Sequence, residues 1–472
     1  LAACASPSGI RPPRAQLRDA PSPGLPAADA SPTRADARWW QAFGDPQLDR
    51  LVEEALADSP SLRLAAARLD RARAVLGLAD AALLPQVAAT AEATRQRYTA
   101  KGMVPAPLAG RIRETGLLQP AATWEPDFFG KYQAALDSAL GSARAAQADA
   151  DAARVLLASN VVRAYLQLAR VQAQLDVADR ALAQREQALR LVNDRVSAGL
   201  DSRLELRQSE GAVPEARQQI EALREQEALA RNALAALVGR PAQDPVNAPV
   251  ALAALHPLPQ PTAIPADLLG RRPDIAAARW RVEAARHDID NARAQFYPNI
   301  NLVAFAGLSS IGLGNLLDAG AQQWGIGPAL RLPVFDAGRL RANLRGKNAD
   351  LDAAVESYNG AVIDAVREVA DQLAAGRGVA RQQVEQRQAQ EAAEAAYSLA
   401  LQRYQAGLGN YLQVPPAEST VLAQRRLDVD LAVRALEAQA GLARALGGGW
   451  QDTAAVAARQ ETPRGAEAAP RS

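Results

Sequence analysis

The sequence predicts a mainly α-helical chain that carries a few short β-strands of membrane type and is laid down twice. Three observations carry this reading. Proline is absent from Asp127 to Val213 and from Val334 to Val414, which leaves room for very long helices. A set of landmarks recurs in one order at nearly constant offset, and between the landmarks lie short segments of alternating polarity. Composition agrees. Only 4% of the 472 residues are aromatic, while Ala, Leu, Gln, Arg and Glu dominate long stretches, as in extended helices rather than one thick core. The 53 Lys+Arg and 52 Asp+Glu nearly cancel, so no nucleic-acid partner is expected. No run of eighteen apolar residues offers a transmembrane helix, although barrel strands leave a much weaker signal.

The repeat is read from its landmarks. Ser59-Pro60-Ser61-Leu62 opens a helix that closes at Leu84-Pro85-Gln86-Val87, and Arg272-Pro273-Asp274-Ile275 opens one that closes at Tyr297-Pro298-Asn299-Ile300. The two bounding prolines are 25 apart in both cases, at an offset of 213 between the halves. Pro126-Asp127-Phe128-Phe129-Gly130 then answers Pro333-Val334-Phe335-Asp336-Ala337-Gly338. Arg195-Val196-Ser197-Ala198-Gly199-Leu200 answers Arg403-Tyr404-Gln405-Ala406-Gly407-Leu408 at an offset of 208. Each copy reads helix, two strands, long helix, turn and return helix.

The long helices cover 130–196 and 338–404, roughly 100 Å each at 1.5 Å per residue. Leu175, Ala178, Leu182, Leu189, Val192 and Val196 form a narrow apolar seam, as do Val355, Tyr358, Val362, Val369 and Leu373. Such seams pack helices side by side, in an ordinary bundle or in the wall of a tube. At each turn Gly199 or Gly407 supplies the positive φ that ends a helix, with Arg195 or Arg403 at the helix's negative end.

The strands favour the tube. Val87, Ala89, Ala91 and Ala93 alternate with polar residues, Ile300, Leu302, Ala304, Ala306 and Leu308 share one face, and so do Trp324, Ile326, Leu330 and Leu332. Ten-residue segments of period two suit strands with one side in lipid. Two hairpins give only four strands, too few to close a barrel, and hydrocarbon tolerates no open edge. The strands therefore either lie on a soluble protein or are completed by other copies.

Cys4 is the only cysteine, and with His256 and His287 the only histidines, Cys- or His-based metal clusters are excluded. An apolar residue, two small residues and Cys (Leu1-Ala2-Ala3-Cys4) is the processing pattern of bacterial lipoproteins, with Ser6 in place of an Asp that would retain the protein in the inner membrane. The Pro-, Ala- and Ser-rich stretch that follows reads as a flexible tether. A covalent lipid on Cys4 is expected, and no cofactor.

Over nearly its whole length the chain resembles the TolC-like outer-membrane efflux factors, in their OprM-like lipoprotein branch. The resemblance is carried by Trp39-Trp40-Gln41-Ala42-Phe43-Gly44-Asp45-Pro46, Arg271-Arg272-Pro273-Asp274-Ile275, Phe296-Tyr297-Pro298, the two Ala-Gly-Leu turns and Ala445-Leu446-Gly447-Gly448-Gly449-Trp450. It implies a homotrimer in which three copies supply a twelve-stranded transmembrane β-barrel, continued by an α-helical barrel through the periplasm. It further implies a passive duct, no enzyme, for a multidrug efflux pump, with a periplasmic adaptor and an inner-membrane RND transporter as partners. On this plan residues 1–35 are a lipid-anchored tether, 36–240 the first repeat (β-hairpin 87–126, long helix 130–196, return helix 203–238) and 241–270 an equatorial connection. The second repeat covers 271–450 (helix 273–296, β-hairpin 299–335, long helix 338–404, return helix 411–446), and 451–472 is a C-terminal tail.

Carried over by motif, the adaptor-docking residues are Arg195, Ala198, Gly199, Leu200, Arg403, Ala406, Gly407 and Leu408. The channel gate falls on Leu412 as apolar constriction, Leu204 as its repeat counterpart, Tyr404 as a gate-stabilising tyrosine, and Gln413 and Glu205 beside them. The chain departs from the family pattern at Leu412-Gln413-Val414-Pro415-Pro416-Ala417, where Pro416 stands at a position the family gives to Asp. A mainly hydrophobic gate with weaker cation binding is expected. Two alternatives stay open: a duct for type I protein secretion, and a non-channel periplasmic coiled-coil lipoprotein or adaptor. An enzyme is not expected, because no phosphate loop, Cys/His nucleophile pair or clustered metal ligands occur.

Overall fold

The structure, a computed structural model, describes residues 6–17, 37–241, 249–258 and 272–450. Cys4, much of the tether, most of the connection at 241–270 and the tail at 451–472 lie outside the described residues. A short 3₁₀ turn (Trp39–Phe43) precedes α1 (Pro46–Asp58) and α2 (Pro60–Ala81), then β1 (Gln86–Arg97) and β2 (Ile112–Trp124), α3 (Lys131–Ser197) and α4 (Arg203–Val238). The order continues with α5 (Pro273–Ala294), β3 (Asn299–Ile311), β4 (Gln322–Arg331), α6 (Arg339–Gln405) and α7 (Val414–Ala445). Helices α3 and α6 are each 67 residues long. Proline marks the starts: Pro46, Pro60 and Pro273 open their helices, where a missing N–H costs nothing.

The chain divides into two compact units, and each draws on both halves of the sequence. The first contains the described part of Leu1–Arg18 with Ala67–Gln147 and Ala277–Asn359. Its centre is one antiparallel sheet in the order β1-β2-β3-β4. The register decides what each face carries. Val87 pairs with Ala122, Ala122 with Ala304 and Ala304 with Ile326, while Trp124 pairs with Leu302 and Leu302 with Pro328. Directly opposed residues share a face. One face is therefore apolar across all four strands, and it is bare: Trp324, Ile326 and Leu330 are 79%, 78% and 70% exposed. The opposite face carries Thr90, Glu92, Thr94, Gln119, Asn301, Ser309 and Gln323, and Gln323 Nε2 donates to Gln119 Oε1 at 2.7 Å. Phe305 lies there over Gly325, where a Cβ would sit 2.7 Å from its ring. Just past the strands the rings of Phe129 and Tyr297 stack at 4.9 Å.

The first unit also corrects the expectation of a free tether. Over residues 6–17 the chain is docked along α6. Arg341 Nη1 donates to the carbonyls of Ser6 (2.7 Å) and Ser8 (2.9 Å), and Asn348 Nδ2 donates to Arg11 O (2.8 Å). Asp352 Oδ1 accepts from the backbone N–H groups of Arg14 (2.7 Å) and Ala15 (2.8 Å), and Asn359 Nδ2 donates to Gln16 O (3.0 Å). The Pro/Ala/Ser composition correctly denies the segment a core of its own. What holds it is a set of side chains more than three hundred residues away, which composition does not reveal.

The second unit contains the described parts of Asp19–Ala66, Ala148–Ala276 and Gly360–Ser472. Its main core gathers Trp39, Trp40 and Phe43 with Leu48 and Val52 of α1, Val161, Tyr165 and Leu168 of α3, Leu234 of α4, and Val433 and Leu436 of α7. Asp45 caps α1 by accepting from Gln47 N at 2.8 Å and also accepts from the Tyr165 hydroxyl. The Trp39–Pro46 motif is thus a packing wedge. The Arg272-Pro273-Asp274 motif is a polar knot. Arg272 pairs with Asp274 at 2.7 Å and Glu368 at 2.8 Å, and Glu368 takes a second bond from Arg444 at 2.5 Å, tying α5, α6 and α7 together.

Candidate functional site

The two turns that end the long helices have the same backbone. Gly199 and Gly407 both adopt φ +74°, a left-handed conformation that costs a residue with a side chain. Leu200 N donates to Arg195 O at 2.9 Å and Leu408 N to Arg403 O at 2.8 Å, the double-bonded helix stop in which a residue past the glycine reaches back to the last turn. Ala198 N bonds Asp194 O at 3.1 Å and Ala406 N bonds Gln402 O at 2.9 Å. Arg195 and Arg403 occupy the last helical turns, against the negative end of the dipole. Ala198, Gly199, Leu200, Arg403, Ala406, Gly407 and Leu408 are exposed, so each turn presents a small-residue step tipped by a bare leucine.

Beneath this surface the turns are joined. Tyr404 is 1% exposed, and its hydroxyl donates to Asp201 Oδ2 at 2.5 Å. Arg195 Nε donates to the same oxygen at 3.0 Å, and its guanidinium lies 4.8 Å from the centre of the Tyr404 ring. Tyr411 packs against Tyr404 at 5.4 Å, and Val192 and Val414 close the cluster. Burial opposes ionisation of Asp201, but the bonds from Arg195 and Tyr404 outweigh it and hold its carboxyl below the usual range. Burial, with the bond to Asp201, pushes the Tyr404 phenol up. A buried phenol, a carboxylate and a guanidinium form one hydrogen-bonded chain from α3 through its following loop to α6.

The predicted gate residues fall in two groups. Tyr404 belongs to the buried chain. Leu412 and Leu204 are 39% and 57% exposed and stand at the starts of the two return helices with Gln413, also exposed. Glu205 serves as a cap. It accepts from Ser202 N at 3.1 Å while the Ser202 hydroxyl accepts from Leu204 N at 3.1 Å, and the bond from Ser202 lowers its carboxyl. Pro415 and Pro416 lie in the first turn of α7, after the 3₁₀ turn Tyr411–Gln413, where no intrahelical donor is lost. Deeper in the unit, Arg185 Nε donates to Glu418 at 3.1 Å and its Nη1 to Ala212 O at 3.0 Å, pinning α7 to α3 and α4. Burial pushes Glu418 up against the pull of Arg185. The sequence reading passed over Asp201, Tyr411, Arg185 and Glu418. Asp201 had a signal: its repeat counterpart is Gly409 and that of Tyr404 is Val196, so the pair exists once per chain, between the halves. Among the described residues no group of His, Cys, Asp and Glu could hold a metal ion, and no helix is long and apolar enough to cross a membrane.

Residues 51–240 and 264–448 match the family described as outer membrane efflux protein. The chain belongs to this family. The toluene efflux pump outer membrane protein TtgF of Pseudomonas putida is 37% identical over 425 residues, 89% of this chain and 86% of that protein. Outer membrane protein OprJ of Pseudomonas aeruginosa is 34% identical over 466 residues, 96% of this chain and 94% of its own. Among solved structures, the outer membrane protein VceC of Vibrio cholerae superposes with a TM-score of 0.81 at 34% identity, covering 88% of this chain and all 100% of that one. The outer-membrane channel OprN superposes at 0.85 with 28% identity, covering 94% and 100%. The chain has the TolC-like channel fold and is an efflux protein of the outer membrane. The bare apolar sheet face is what such a location requires.

Proposed function

We propose that the chain is one third of a passive exit duct in a tripartite multidrug efflux pump of RND type. The observation that carries this reading is the four-stranded sheet. It has an apolar face on every strand and leaves β1 and β4 as unpaired edges. In hydrocarbon such edges must be closed, and three copies supply a twelve-stranded barrel continued by a wall of helices. The two halves of the chain are copies of one unit in this reading. The energy comes from an inner-membrane transporter coupled through a periplasmic adaptor, whose docking grooves are the steps at Ala198-Gly199-Leu200 and Ala406-Gly407-Leu408. Leu412 and Leu204 line the constriction, and the chain Arg195–Asp201–Tyr404 holds it closed. With Pro416 at the position the family gives to Asp, and with Glu205 and Asp201 both bonded, the gate is apolar. A lipid on Cys4 anchors each copy; Ser6, two residues on, is held at the first turn of α6, next to the end of the sheet.

The test is to extract the protein in detergent, measure its mass, and reconstitute it in a planar bilayer. A trimer that forms ion-conducting pores is expected. A monodisperse monomer that needs no detergent would overturn the duct. Leu412→Ala should raise the conductance; an unchanged value would mean that the constriction lies elsewhere.

A further inference from the structure

We propose that the docked N-terminal segment and the start of α6 together form a binding site for the phosphodiester headgroup of an anionic phospholipid. The residues that hold the segment, Arg341, Asn348, Asp352 and Asn359, are spaced 7, 4 and 7 apart, one stripe of a helix. Along the helix they span roughly 27 Å at 1.5 Å per residue. The segment turns at Pro7–Ile10, where Gly9 has φ +72°, so that Arg341 meets both Ser6 and Ser8. Beyond the turn, Arg11 to Gln16 covers about 16 Å at 3.1 Å per residue, against about 17 Å from Asn348 to Asn359 at 1.5 Å per residue. The match of lengths explains why every second or third residue of the segment meets a side chain of α6. Asn348 and Asn359 are 8% and 3% exposed, so the docking is built into the fold.

The consequence is a convergence of charge. Gly9, Ile10, Arg11, Pro12 and Arg14 meet Arg341, Arg345 and Asn348 around a cleft of about 500 Å³. Four arginines line it, of which Arg341 already donates Nη1 to two carbonyls, against one carboxylate, Asp352, whose Oδ1 is committed to two backbone N–H groups. Arg11, Arg14 and Arg345 make no ion pair among the described residues. Four like charges gathered by a built contact repel one another unless an anion bridges them. Guanidinium groups suit a phosphate, to which each can present two donors. The source is fixed by position. Arg341 lies in the first turn of α6, which follows β4 after a short connection, so the cleft adjoins the end of the sheet whose apolar face is in lipid. Headgroup phosphates lie at that level. This inference rests on the outer-membrane location and is independent of the gate.

The test is native mass spectrometry of the full chain in detergent, titrated separately with phosphatidylglycerol, phosphatidylethanolamine and inorganic phosphate. Phosphatidylglycerol should be retained in preference to phosphatidylethanolamine, and more weakly as salt rises. The triple variant Arg11→Gln, Arg14→Gln, Arg345→Gln leaves every contact that docks the segment, and should lose affinity on the order of 100-fold at about fivefold per arginine. Its oligomeric mass and conductance should match the parent, which separates this result from a failure of the duct. Equal retention of the two lipids by the unmodified protein, or unchanged binding by the variant, would overturn the site. Inorganic phosphate bound as tightly as phosphatidylglycerol would overturn the lipid as its occupant.

Discussion

Asp201 is where the two turns meet, and its chemistry sets what the proposed gate could do. It receives a phenol from one helix and a guanidinium from another, with its side chain 8% exposed. Tyr404→Phe removes the phenol bond and keeps the ring against Arg195 and Tyr411. A hydrogen bond to a charged group contributes about 1.5–3 kcal/mol, so the variant should open more readily and conduct more in a planar bilayer. The pH dependence follows from the sign of the shift. A carboxyl depressed in the folded state contributes stability that is present above its unfolded pKa of about 3.9 and is lost as pH falls through the depressed value. Conductance of the parent should therefore be flat from pH 7 to about 4 and rise below it. Asp201→Asn should conduct more across the whole range and lose that step.

At the scale of elements, the sheet depends on close approach between strands. A Cβ on Gly307 would sit 2.3 Å from the Leu118 carbonyl and 2.7 Å from the Gln119 Cα, both backbone atoms of β2. Gly307→Ala should lower the thermal stability of the detergent-extracted oligomer by about 1–3 kcal/mol of overpacking. Gly314→Ala, where nothing lies within 4 Å, is the control and should leave it unchanged. The helices show the same economy at their ends. The left-handed glycines stop α3 and α6, the Ser202–Glu205 box starts α4, and two prolines occupy the first turn of α7. These devices are local. Glycine after an arginine-bearing last turn, proline at a helix start and alternation in a strand are each read within a few residues, which is why the helices, strands and turns were legible in the sequence.

At the scale of the whole molecule, the proposed lipid on Cys4 and the apolar sheet face would be separate means of holding the membrane. Cys4→Ser should abolish lipid labelling of the protein while leaving its oligomeric mass in detergent unchanged, because in the proposed trimer the strand edges would be closed by neighbouring copies and not by the lipid. Retained labelling would remove the anchor from the account. The low aromatic content, 4%, has its reason here. Side-by-side helices need only Ala and Leu in thin seams, and the large rings are concentrated where the Trp39–Phe43 wedge enters the core and where strands end.

Periodicity, proline spacing and glycine turns were sufficient to read the elements and the apolar sheet face, because each is encoded in neighbouring residues along the chain. The residues that the family motif assigns to a gate lie at the turns and the starts of the return helices, but the bond that joins the turns was not legible. Tyr404 and Asp201 are 203 residues apart, and Asn348 and Arg11 are 337 apart. Nothing local marks Asp201 as a buried acceptor or residues 6–17 as a docked segment. Those pairings follow from which helix faces the fold brings together, since a carboxylate or a backbone carbonyl finds its partner only after the intervening chain has packed.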